Sequence, residues 1–392
     1  MRYKVQAEDF VVEEQMSLSL GEQGQFAVCR VRKKGVTTLS VQRQMARMLN
    51  VRQSAVNFPA LKDKQAVAVQ YAAVQGKAPD RIEGQGFEAE CLGRTERPLT
   101  PADIVANRFT LVLRDLMEEE VASIRARVRQ VAEFGLPNYF DRQRFGSLSP
   151  GQDHIAKLIL QRDAEGAVRA YLSHLFVGDP RPVRKFKAFA ARRWGDWDAL
   201  FDAAPSPSNF RSVLTYLRDH PQPTETQWRK ALNLINRRLL SIYLSAYQSL
   251  LWNRIVSRYL SDRLGEPPAA IEIARETLAL YHTLPDDFER AFERAREVPL
   301  PSHRARYSGP TLKAIALHVF AEEGFVANDL KARILKKAYV YRGNRALLLF
   351  PHEIAILAEK PDELFPGKRQ ITMAFTLPRG SYATLLLKTL LI

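Results

Sequence analysis

The order of strand-like and helix-like segments along the chain is the feature that most limits its possible folds. Alternating apolar and polar residues, typical of strands, recur through the first 150 residues and return near the end of the chain. Helical periodicity dominates between these two parts. Strand-rich segments at both ends of a chain, with a helical segment between them, are typical of a domain that carries an insertion. We therefore predict one domain formed by 1–150 and 343–392, and a mostly helical inserted domain over 151–342.

The N-terminal part predicts a mixed α+β layer. Helices are expected at 39–49, where Thr37 and Thr38 can cap the first turn, and at 121–134, which Gly135 ends. A long helical stretch is expected from Trp228 toward Leu260. Strands are expected at 10–13, 25–31, 54–58, 66–73, 87–92, 107–113, 338–341, 345–350 and 370–375.

The chain carries a large excess of positive charge. Its 58 Lys and Arg residues stand against 43 Asp and Glu residues, which leaves a formal charge of +15. This excess attracts phosphate polyanions, but it does not distinguish RNA from DNA or from an anionic membrane. No apolar run approaches the roughly 18 residues that a membrane-spanning helix needs, and the first residues are too polar for a signal peptide. We therefore expect a cytoplasmic protein without membrane contact.

Several common enzyme chemistries have no support in the sequence. It has no phosphate-binding Gly-x-x-x-x-Gly-Lys loop, no Gly-x-Gly-x-x-Gly, no His-Glu-x-x-His and no Gly-x-Ser-x-Gly. The seven histidines lack the spacing of metal ligands. Cys29 and Cys91 lie far apart in apolar stretches, so we interpret them as small core residues. Neither a metal site nor a nucleotide cofactor is predicted.

An aspartate between two lysines is the first candidate for chemistry. Asp63 follows Lys62 and precedes Lys64, at a turn between two strand-like runs. Positive charge on both sides favours the ionised carboxylate. The segment is compatible with a solvated surface turn and with a carboxylate nucleophile aimed into a cleft.

Two further segments have the composition of RNA-binding surfaces. In 136–146, aromatic residues alternate with amides and arginines, as in loops that stack on a base and bind its edge. The same loop could equally be anchored in the core by its aromatic rings. In 181–194, cations interleave with Phe186, Phe189 and Trp194, and no acid interrupts them. That run is a candidate phosphate track or a solvated helix face.

Six segments with distinctive residues follow one another along most of the chain: Lys4 with Glu8–Glu14, Lys33–Gly35 with Thr37–Thr38, Lys62–Val67, Asn138–Gly146, Ala246–Ser249 and Phe375–Thr384. In this order they resemble signatures of the TruD family of tRNA pseudouridine synthases. The chain departs from the residues usual in the family at Pro59-Ala60, at Asp141, where Gly is usual, and at Lys388-Thr389.

The resemblance implies a fold and a reaction. The fold is a pseudouridine-synthase catalytic domain, with a mixed, largely antiparallel sheet flanked by helices, interrupted by a mostly helical TruD-type insertion domain. The reaction is the isomerisation of a uridine in tRNA, by family analogy uridine 13 of the D arm. The cleft between the domains is expected to hold RNA. No cofactor is implied, and tRNA is the expected partner.

The resemblance also implies roles for single residues. Asp63 is the catalytic residue, which either attacks the sugar or removes its C2′ proton. Lys4 is the cation expected to pair with Asp63. The remaining substrate-binding residues comprise three aromatic rings that pack around the base and an amide that reads its edge: Phe10, Phe140, Tyr382 and Asn138.

Two alternatives stay open at this point. One is a synthase of the same fold that acts on another tRNA position or on another RNA. The other is a catalytically inactive RNA-binding or RNA-folding protein. The presence of Asp63 argues against the inactive protein, because a pure binder has little reason to keep an unpaired carboxylate near phosphates.

Overall fold

Residues 1–147, 151, 153–176, 178–265, 269–284 and 296–392 are described by the structure, a computed structural model. The packing of the chain forms two compact units. The first unit is Met1–Leu136 with Leu349–Leu391, and the second is Pro137–Leu348 with Ile392. These two units do not by themselves show which is the catalytic domain and which is the inserted domain. The predicted domain bounds at 150 and 343 therefore stay a prediction. Residue 150 itself lies outside the described residues.

The strands and helices have the following bounds. The strands are β1 (Phe10–Met16), β2 (Phe26–Lys33), β3 (Val56–Asn57), β4 (Val67–Gln75), β5 (Arg81–Gly84), β6 (Phe87–Thr95), β7 (Ile104–Leu116), β8 (Leu136–Pro137), β9 (Ala269–Ile273), β10 (Glu276–Leu280), β11 (Glu297–Pro299), β12 (Asn344–Ala346), β13 (Leu348–Leu349), β14 (His352–Pro361) and β15 (Arg369–Pro378). The α-helices are α1 (Thr38–Met48), α2 (Glu118–Phe134), α3 (Ile155–Leu160), α4 (Ala164–Ser173), α5 (Arg181–Arg192), α6 (Trp197–Ala203), α7 (Asn209–Arg218), α8 (Glu225–Leu234), α9 (Arg237–Leu264), α10 (Pro310–Glu322) and α11 (Ala383–Thr389). Short 3-10 helices cover Ala7–Asp9, Gln53–Ala55, Pro101–Asp103, Arg142–Phe145 and Ala327–Lys331.

The first unit, all of whose residues the structure describes, is built on one nine-stranded sheet. Its order is β14-β15-β7-β1-β4-β2-β6-β5, and β3 pairs with β4. Only β1 and β4 are parallel neighbours, and the other pairs are antiparallel. The predicted α+β fold with a mixed, largely antiparallel sheet is therefore confirmed. The parallel pair places the start of β4 beside the N-terminal segment.

Helix α1 covers one face of this sheet, and its sequence explains where it begins. The Thr37 side chain accepts a hydrogen bond from the Ser40 amide at 3.1 Å, which caps the first turn. Val41 and Met45 of α1 then pack into a buried cluster with β2 residues such as Val31. The period-two pattern of β2 puts alternate side chains into this core, as the sequence predicts.

The described residues of the second unit are mainly helical. The stretch predicted as one helix from Trp228 is two helices, α8 and α9, separated at Ile235 and Asn236. The Asn236 side chain accepts a hydrogen bond from the Arg238 amide at 2.8 Å and so caps α9. Two small antiparallel pairs, β9 with β10 and β11 with β12, accompany the helices.

The strand predictions omit the short strands β5, β8 and β11, and they fail at three further places for different reasons. Segment 338–341 is not a strand: its burial alternates as predicted, but its backbone pairs with no other strand. Strand β14 is missing from the prediction because it is an edge strand with few buried residues, so its sequence lacks a clear apolar face. The β9–β10 hairpin lies in a region read as helical.

The sheet brings the two cysteines together, which their spacing in sequence does not show. Although distant in sequence, Cys29 on β2 and Cys91 on β6 lie opposite each other in the sheet. Both are free thiols, and Cys29 is fully buried. Burial, together with the neighbouring Cys91, raises the pKa of Cys29 to about 12. Both pack with the apolar core, as predicted.

Two negative findings concern the described residues only. None of their helices is long and apolar enough to cross a membrane. They also contain no cluster of three or more His, Cys, Asp or Glu side chains that could hold a metal ion.

Candidate active site

Asp63 lies in the loop that connects β3 to β4. Its Oδ1 atom accepts a hydrogen bond from the Gln65 amide at 3.0 Å, a local turn that fixes the carboxylate just before β4 begins. The side chain is 43% exposed. A carboxylate that is fixed by its own turn and still open to solvent can be reached by a ligand.

Lys4 supplies a second contact to this carboxylate. Its Nζ atom donates a hydrogen bond to Asp63 Oδ2 at 2.5 Å. The backbone of Lys4 has φ +59°, a left-handed conformation that residues with side chains seldom adopt. Such a conformation costs roughly 1–3 kcal/mol and persists only where neighbouring contacts enforce it. The predicted pairing of Lys4 with Asp63 is present in the structure.

The pKa of Asp63 lies below its usual range. Desolvation raises it, but the hydrogen bonds from Lys4 and Gln65 lower it more, with help from the charges of Lys4 and Lys33. The carboxylate is therefore ionised at neutral pH. An ionised carboxylate is the form that a nucleophile or a general base requires.

Lys33 holds the backbone of the same loop. It is only 1% exposed, and its Nζ donates to the carbonyl oxygens of Asp63 at 2.6 Å and Val36 at 3.1 Å. Burial lowers the pKa of Lys33, and the charge of Asp63 opposes that shift. A buried ammonium beneath the loop fixes the position of Asp63 without occupying its carboxylate.

Lys62 points away from Asp63 and anchors the loop to the sheet. Its Nζ lies 3.1 Å from Glu14 Oε1 and also donates to Asn107 Oδ1. The Lys62 amide donates to Thr38 Oγ1 at 3.1 Å. Glu14 is fully buried, and burial raises its pKa, although Lys62 opposes the shift. The flanking Lys62 therefore pairs with Glu14 and not with Asp63, whose lowered pKa comes in part from the charges of Lys4 and Lys33.

A buried arginine fixes the N-terminal segment that carries Lys4. The Arg114 guanidinium lies 2.8 Å from Asp9 Oδ1 and 3.1 Å from Asp362 Oδ1. The other oxygen of Asp9 accepts a hydrogen bond from the Gln6 amide at 2.9 Å. Asp9, at the end of the short helix Ala7–Asp9, thus ties the chain just after Lys4 to strand β7. This explains why the Glu8–Glu14 and Lys62–Val67 segments belong to one site.

The comparison with protein families identifies the chain. The family described as tRNA pseudouridine synthase D (TruD) matches residues 1–390. The chain belongs to the TruD family. It is therefore a member of a family of isomerases that act on tRNA.

Individual TruD relatives resemble the chain over nearly its whole length. It is similar to tRNA pseudouridine synthase D of Aquifex aeolicus, with 28% identity over 100% of this chain and 98% of that protein. It is 25% identical to tRNA pseudouridine synthase D of Leptospira interrogans, over 98% of this chain and 94% of the relative. A crystal structure assigned to tRNA pseudouridine synthase D of Methanosarcina mazei superposes with a TM-score of 0.76 at 22% identity, covering 99% and 93% of the two chains. That structure shares the fold.

Phe10 lies directly beside the Lys4–Asp63 pair. The Lys4 ammonium is 4.1 Å from the centroid of the Phe10 ring, which is a cation–π distance. Phe10 also contacts Phe109 edge to face at 5.9 Å, and Phe109 stacks on Phe375 at 5.3 Å. These contacts place Phe10 at the end of an aromatic row and position the ammonium of Lys4.

Tyr382 belongs to the first unit as well. It is half-buried at the N-cap of α11, and its carbonyl accepts a hydrogen bond from the Leu385 amide at 3.1 Å. Its contact with the base stays a prediction.

Asn138 and Phe140 lie in the second unit, and both side chains are buried. Asn138 Nδ2 donates to the Ala346 carbonyl at 3.1 Å, and its Oδ1 accepts from Arg345 at 2.7 Å. The Phe140 ring packs against Trp252 and lies 4.1 Å from the Arg345 guanidinium. The amide of Asn138 keeps one N–H and one lone pair beyond these two bonds. Reading of a base by these residues stays a prediction.

Asp141, which stands where the TruD family usually has Gly, needs no special conformation here. Its φ is −100° and its ψ is 173°, an extended backbone that any residue adopts. Glycine is usual where the backbone is left-handed, but at this position the backbone is extended, so Asp141 fits without strain.

The predicted phosphate track at 181–194 is only partly available for binding. Lys187 is buried, and its Nζ lies 2.8 Å from Asp179, so it cannot contact phosphate. Phe186 is a core residue that packs on Phe210, and the half-buried Trp194 stacks on Trp228. The buried face of α5 holds Phe186, Lys187 and Ala190, so at least one ring interpreted as base-stacking is unavailable to a base. Contact with RNA stays a prediction for the exposed cations Arg184, Lys185, Arg192 and Arg193.

The sequence reading missed Lys33 and the Glu14–Lys62 pair. For Lys33 and Glu14, the sequence pattern contained a feature that could have indicated burial. Lys33 continues the buried face formed by Cys29 and Val31, and Glu14 shares a face of β1 with Phe10. A charged residue on the apolar face of a strand predicts a buried polar contact. The partner cannot be read from the pattern, because it lies on another strand or loop.

Proposed function

We propose that this chain converts a uridine of tRNA into pseudouridine, with Asp63 as the catalytic carboxylate. We propose uridine 13 of the D arm as its target, by family analogy. The observation that carries the proposal is the hydrogen bond from Lys4 Nζ to an exposed, ionised carboxylate on a fixed loop.

The reaction needs no atoms from outside, because uridine and pseudouridine are isomers. The N1–C1′ bond breaks, the uracil turns, and C5 bonds to C1′. The proton on C5 is lost and N1 gains one, so the overall composition is unchanged. Asp63 can act in two ways: it adds to C1′ and is displaced by C5, or it removes the C2′ proton so that the base departs by elimination.

Both routes begin with an ionised carboxylate, and the surroundings of Asp63 support that state. Lys4 lowers the pKa and supplies one fixed hydrogen-bond donor, while Lys33 binds the carbonyl of Asp63 instead of its carboxylate. The Gln65 amide holds the second oxygen. A carboxylate held by two donors keeps lone pairs for the sugar, and it needs little reorganisation when the substrate arrives.

A uridine in a folded tRNA arm has to leave its stack before Asp63 can reach it. Extrusion of a base costs a few kcal/mol, which contacts elsewhere on the RNA must offset. The formal charge of +15 favours many phosphate contacts and so supports this part of the proposal. We propose that Phe10, Phe140 and Tyr382 pack around the extruded base and that the spare N–H and lone pair of Asn138 meet its edge.

The structure changes the reason for preferring an enzyme over an inactive RNA binder. The sequence argument assumed that Asp63 is unpaired, but it is paired with Lys4. Membership of the TruD family supports the enzyme instead. Two hydrogen bonds to an exposed carboxylate, with a third to the carbonyl of the same residue, are also more than a surface ion pair requires, since such pairs contribute only about 0–1 kcal/mol to stability.

The direct test uses unmodified tRNA made by transcription, incubated with the pure chain. Pseudouridine is then mapped along the whole RNA by a chemical that blocks reverse transcription at that base. We expect a stop at position 13, and none when cytidine replaces that uridine. Pseudouridine at another position would overturn the proposed target, and its absence everywhere would overturn the proposed activity.

A further inference from the structure

A groove in the second unit combines positive charge with exposed aromatic rings. Its volume is about 520 Å³. Its walls include four cations and two tyrosines: Arg144, Arg237, Lys337, Arg342, Tyr339 and Tyr341. Two serines of α9 also line the groove, and among the described residues no carboxylate does.

Three of the four cations of this groove form no ion pair with the described residues. Within the part of the chain that the structure describes, Arg237, Lys337 and Arg342 have no carboxylate within ion-pair distance. Arg144 is fixed differently, since its Nε donates to Ser249 Oγ at 3.0 Å. Unpaired cations that line one groove create a positive potential that attracts anionic ligands.

The positive potential extends beyond the groove. Burial and the charges of Arg342, Lys331 and Arg304 lower the pKa of His303. A second cavity of about 330 Å³ shares Arg342 with the groove and adds two further arginines. Its one described carboxylate, Glu297, accepts a hydrogen bond from Asn344 at 3.1 Å. A run of cations therefore continues on both sides of Arg342, as a chain of phosphates would require.

The two tyrosines are exposed because of the local chain direction. Side chains alternate along this segment, so Ala338 and Val340 are buried while Tyr339 and Tyr341 are 65% and 67% exposed. The ring of Tyr341 lies against Gly343, where an added Cβ would come within 2.7 Å of Cε1. Large exposed rings gain from being covered, and neither ring is stacked on another aromatic ring of the described residues.

Helix α9 holds the segment in place. The buried Gln248 donates from Nε2 to the carbonyl oxygens of Tyr341 at 2.6 Å and Pro301 at 2.8 Å. The Leu300 amide donates to the Gly343 carbonyl at 2.8 Å. These bonds use the backbone of the segment and leave the rings outside. The groove is therefore formed before any ligand binds, which reduces the entropy cost of binding.

We propose that this groove binds a single-stranded part of the tRNA substrate, with its cations on phosphates and its tyrosines stacked on unpaired bases. The proposal rests on the proposed function for the identity of the RNA. Cations interleaved with exposed aromatic rings are the features that single-stranded nucleic acid requires. An anionic membrane would need an apolar surface beside the cations, and these walls offer serines and tyrosines instead.

The first experiment measures tRNA binding by the full chain as salt is varied. The groove variant combines Arg237→Ala, Lys337→Ala and Arg342→Ala. The control combines Lys77→Ala, Arg129→Ala and Lys313→Ala, which removes the same charge from exposed sites elsewhere. We expect the groove variant to bind about tenfold or more weakly at physiological salt, with a salt slope reduced by roughly two to three. Equal effects of the two variants would overturn the proposal.

The second experiment separates stacking from charge. Tyr339→Ala and Tyr341→Ala are each expected to weaken binding by about tenfold with an unchanged salt slope, while Tyr341→Phe binds like the parent. Thermal melting of each variant checks that it is folded. Alanine variants that melt and bind tRNA like the parent would show that the two tyrosine rings contact no base. That result would overturn the proposed stacking.

A third arm distinguishes failure of the groove from failure of the proposed function. tRNA binding is measured without turnover, so weaker binding by the groove variant can be seen even if the parent makes no pseudouridine. If the parent makes pseudouridine and the groove variant binds tRNA as the parent does, the groove proposal is wrong and the proposed function stands. Vesicles of phosphatidylglycerol and phosphatidylcholine test the membrane alternative. Vesicle binding that the groove variant loses, with tRNA binding unchanged, would overturn the proposal.

Discussion

The ammonium of Lys4 meets the carboxylate of Asp63 at 2.5 Å, although 59 residues separate the two in sequence. The same ammonium lies 4.1 Å from the Phe10 ring centroid. The lowered pKa of Asp63 therefore depends in part on an N-terminal segment that Asp9 and Arg114 hold against β7. A change in that segment acts on the carboxylate through this one contact.

Replacement of Lys4 by Met is expected to raise the pKa of Asp63. The variant loses a hydrogen bond and a charge that lower this pKa, while desolvation, which raises it, remains. An adjacent cation shifts a carboxyl pKa by roughly 1–3 units, so the acidic limb of the kcat/KM profile moves to higher pH by about one unit. The loss of activity is then larger at pH 5 than at pH 7. The profile is measured with single-turnover assays over this range.

Lys4→Arg is the matched control, because it keeps the charge at this position. It is expected to keep the acidic limb close to that of the parent. An acidic limb that stays in place in Lys4→Met would show that Lys4 does not control the charge of Asp63.

Replacement of Lys62 by Met is expected to destabilise the first unit. Glu14 is fully buried beside Lys62, and removing one partner of a buried pair costs about 3–5 kcal/mol. The native pKa of Glu14 is already raised, and loss of Lys62 raises it further. The native state then binds more protons than the unfolded state, so stability falls as pH rises through this range. Urea unfolding should show a larger deficit at pH 7 than at pH 5.

The double variant Glu14→Gln, Lys62→Met is the control for this prediction. It removes the buried charge and should recover part of the lost stability, with little dependence on pH. A single variant whose deficit is the same at both pH values would contradict the role assigned to Glu14.

Local sequence predicts the elements that local rules determine. The Thr37 cap, the alternation of β2 and the end of α2 at Gly135 follow from neighbouring residues. The sequence also locates Asp63. The resemblance to the TruD family points to Lys4 as the partner of Asp63, but no local pattern shows Lys4 or Lys33 near it, because both arrive from other strands and loops. The flanking Lys62 suggested the wrong answer, since neighbours in a turn point in different directions.

The cations of α5 show that local sequence also does not distinguish a buried cation from an exposed one in a helix. Lys187→Ala is expected to lower stability by about 1–3 kcal/mol, because the half-buried carboxylate of Asp179 loses its charged hydrogen-bond donor. Lys185→Ala, on the exposed face of the same helix, should change stability by no more than about 0.5 kcal/mol. Thermal unfolding of the two variants provides the comparison. Equal melting temperatures would contradict the structural role of Lys187.

Asn138→Ala is expected to slow turnover by about tenfold or more while tRNA affinity stays within about twofold, because one base contact is a small part of the binding surface. Arg345→Met is the comparison, since Arg345 holds the Asn138 side chain through its oxygen. It leaves the amide in place but removes its fixed orientation, so its loss of turnover should be smaller. A loss of affinity equal to the loss of turnover in Asn138→Ala would contradict a role at the base.

The central claim is that Asp63 is the catalytic carboxylate, and the most direct measurement is single-turnover formation of pseudouridine by Asp63→Asn. Asparagine keeps the size of the side chain and one acceptor oxygen, which can still take the Gln65 amide, whereas its NH2 group cannot accept from Lys4. Because an exposed ion pair contributes only about 0–1 kcal/mol, melting and tRNA affinity should stay close to those of the parent. We predict that this folded, RNA-binding variant forms no detectable pseudouridine. Activity within about tenfold of the parent, a barrier change of only about 1.4 kcal/mol, would contradict the account.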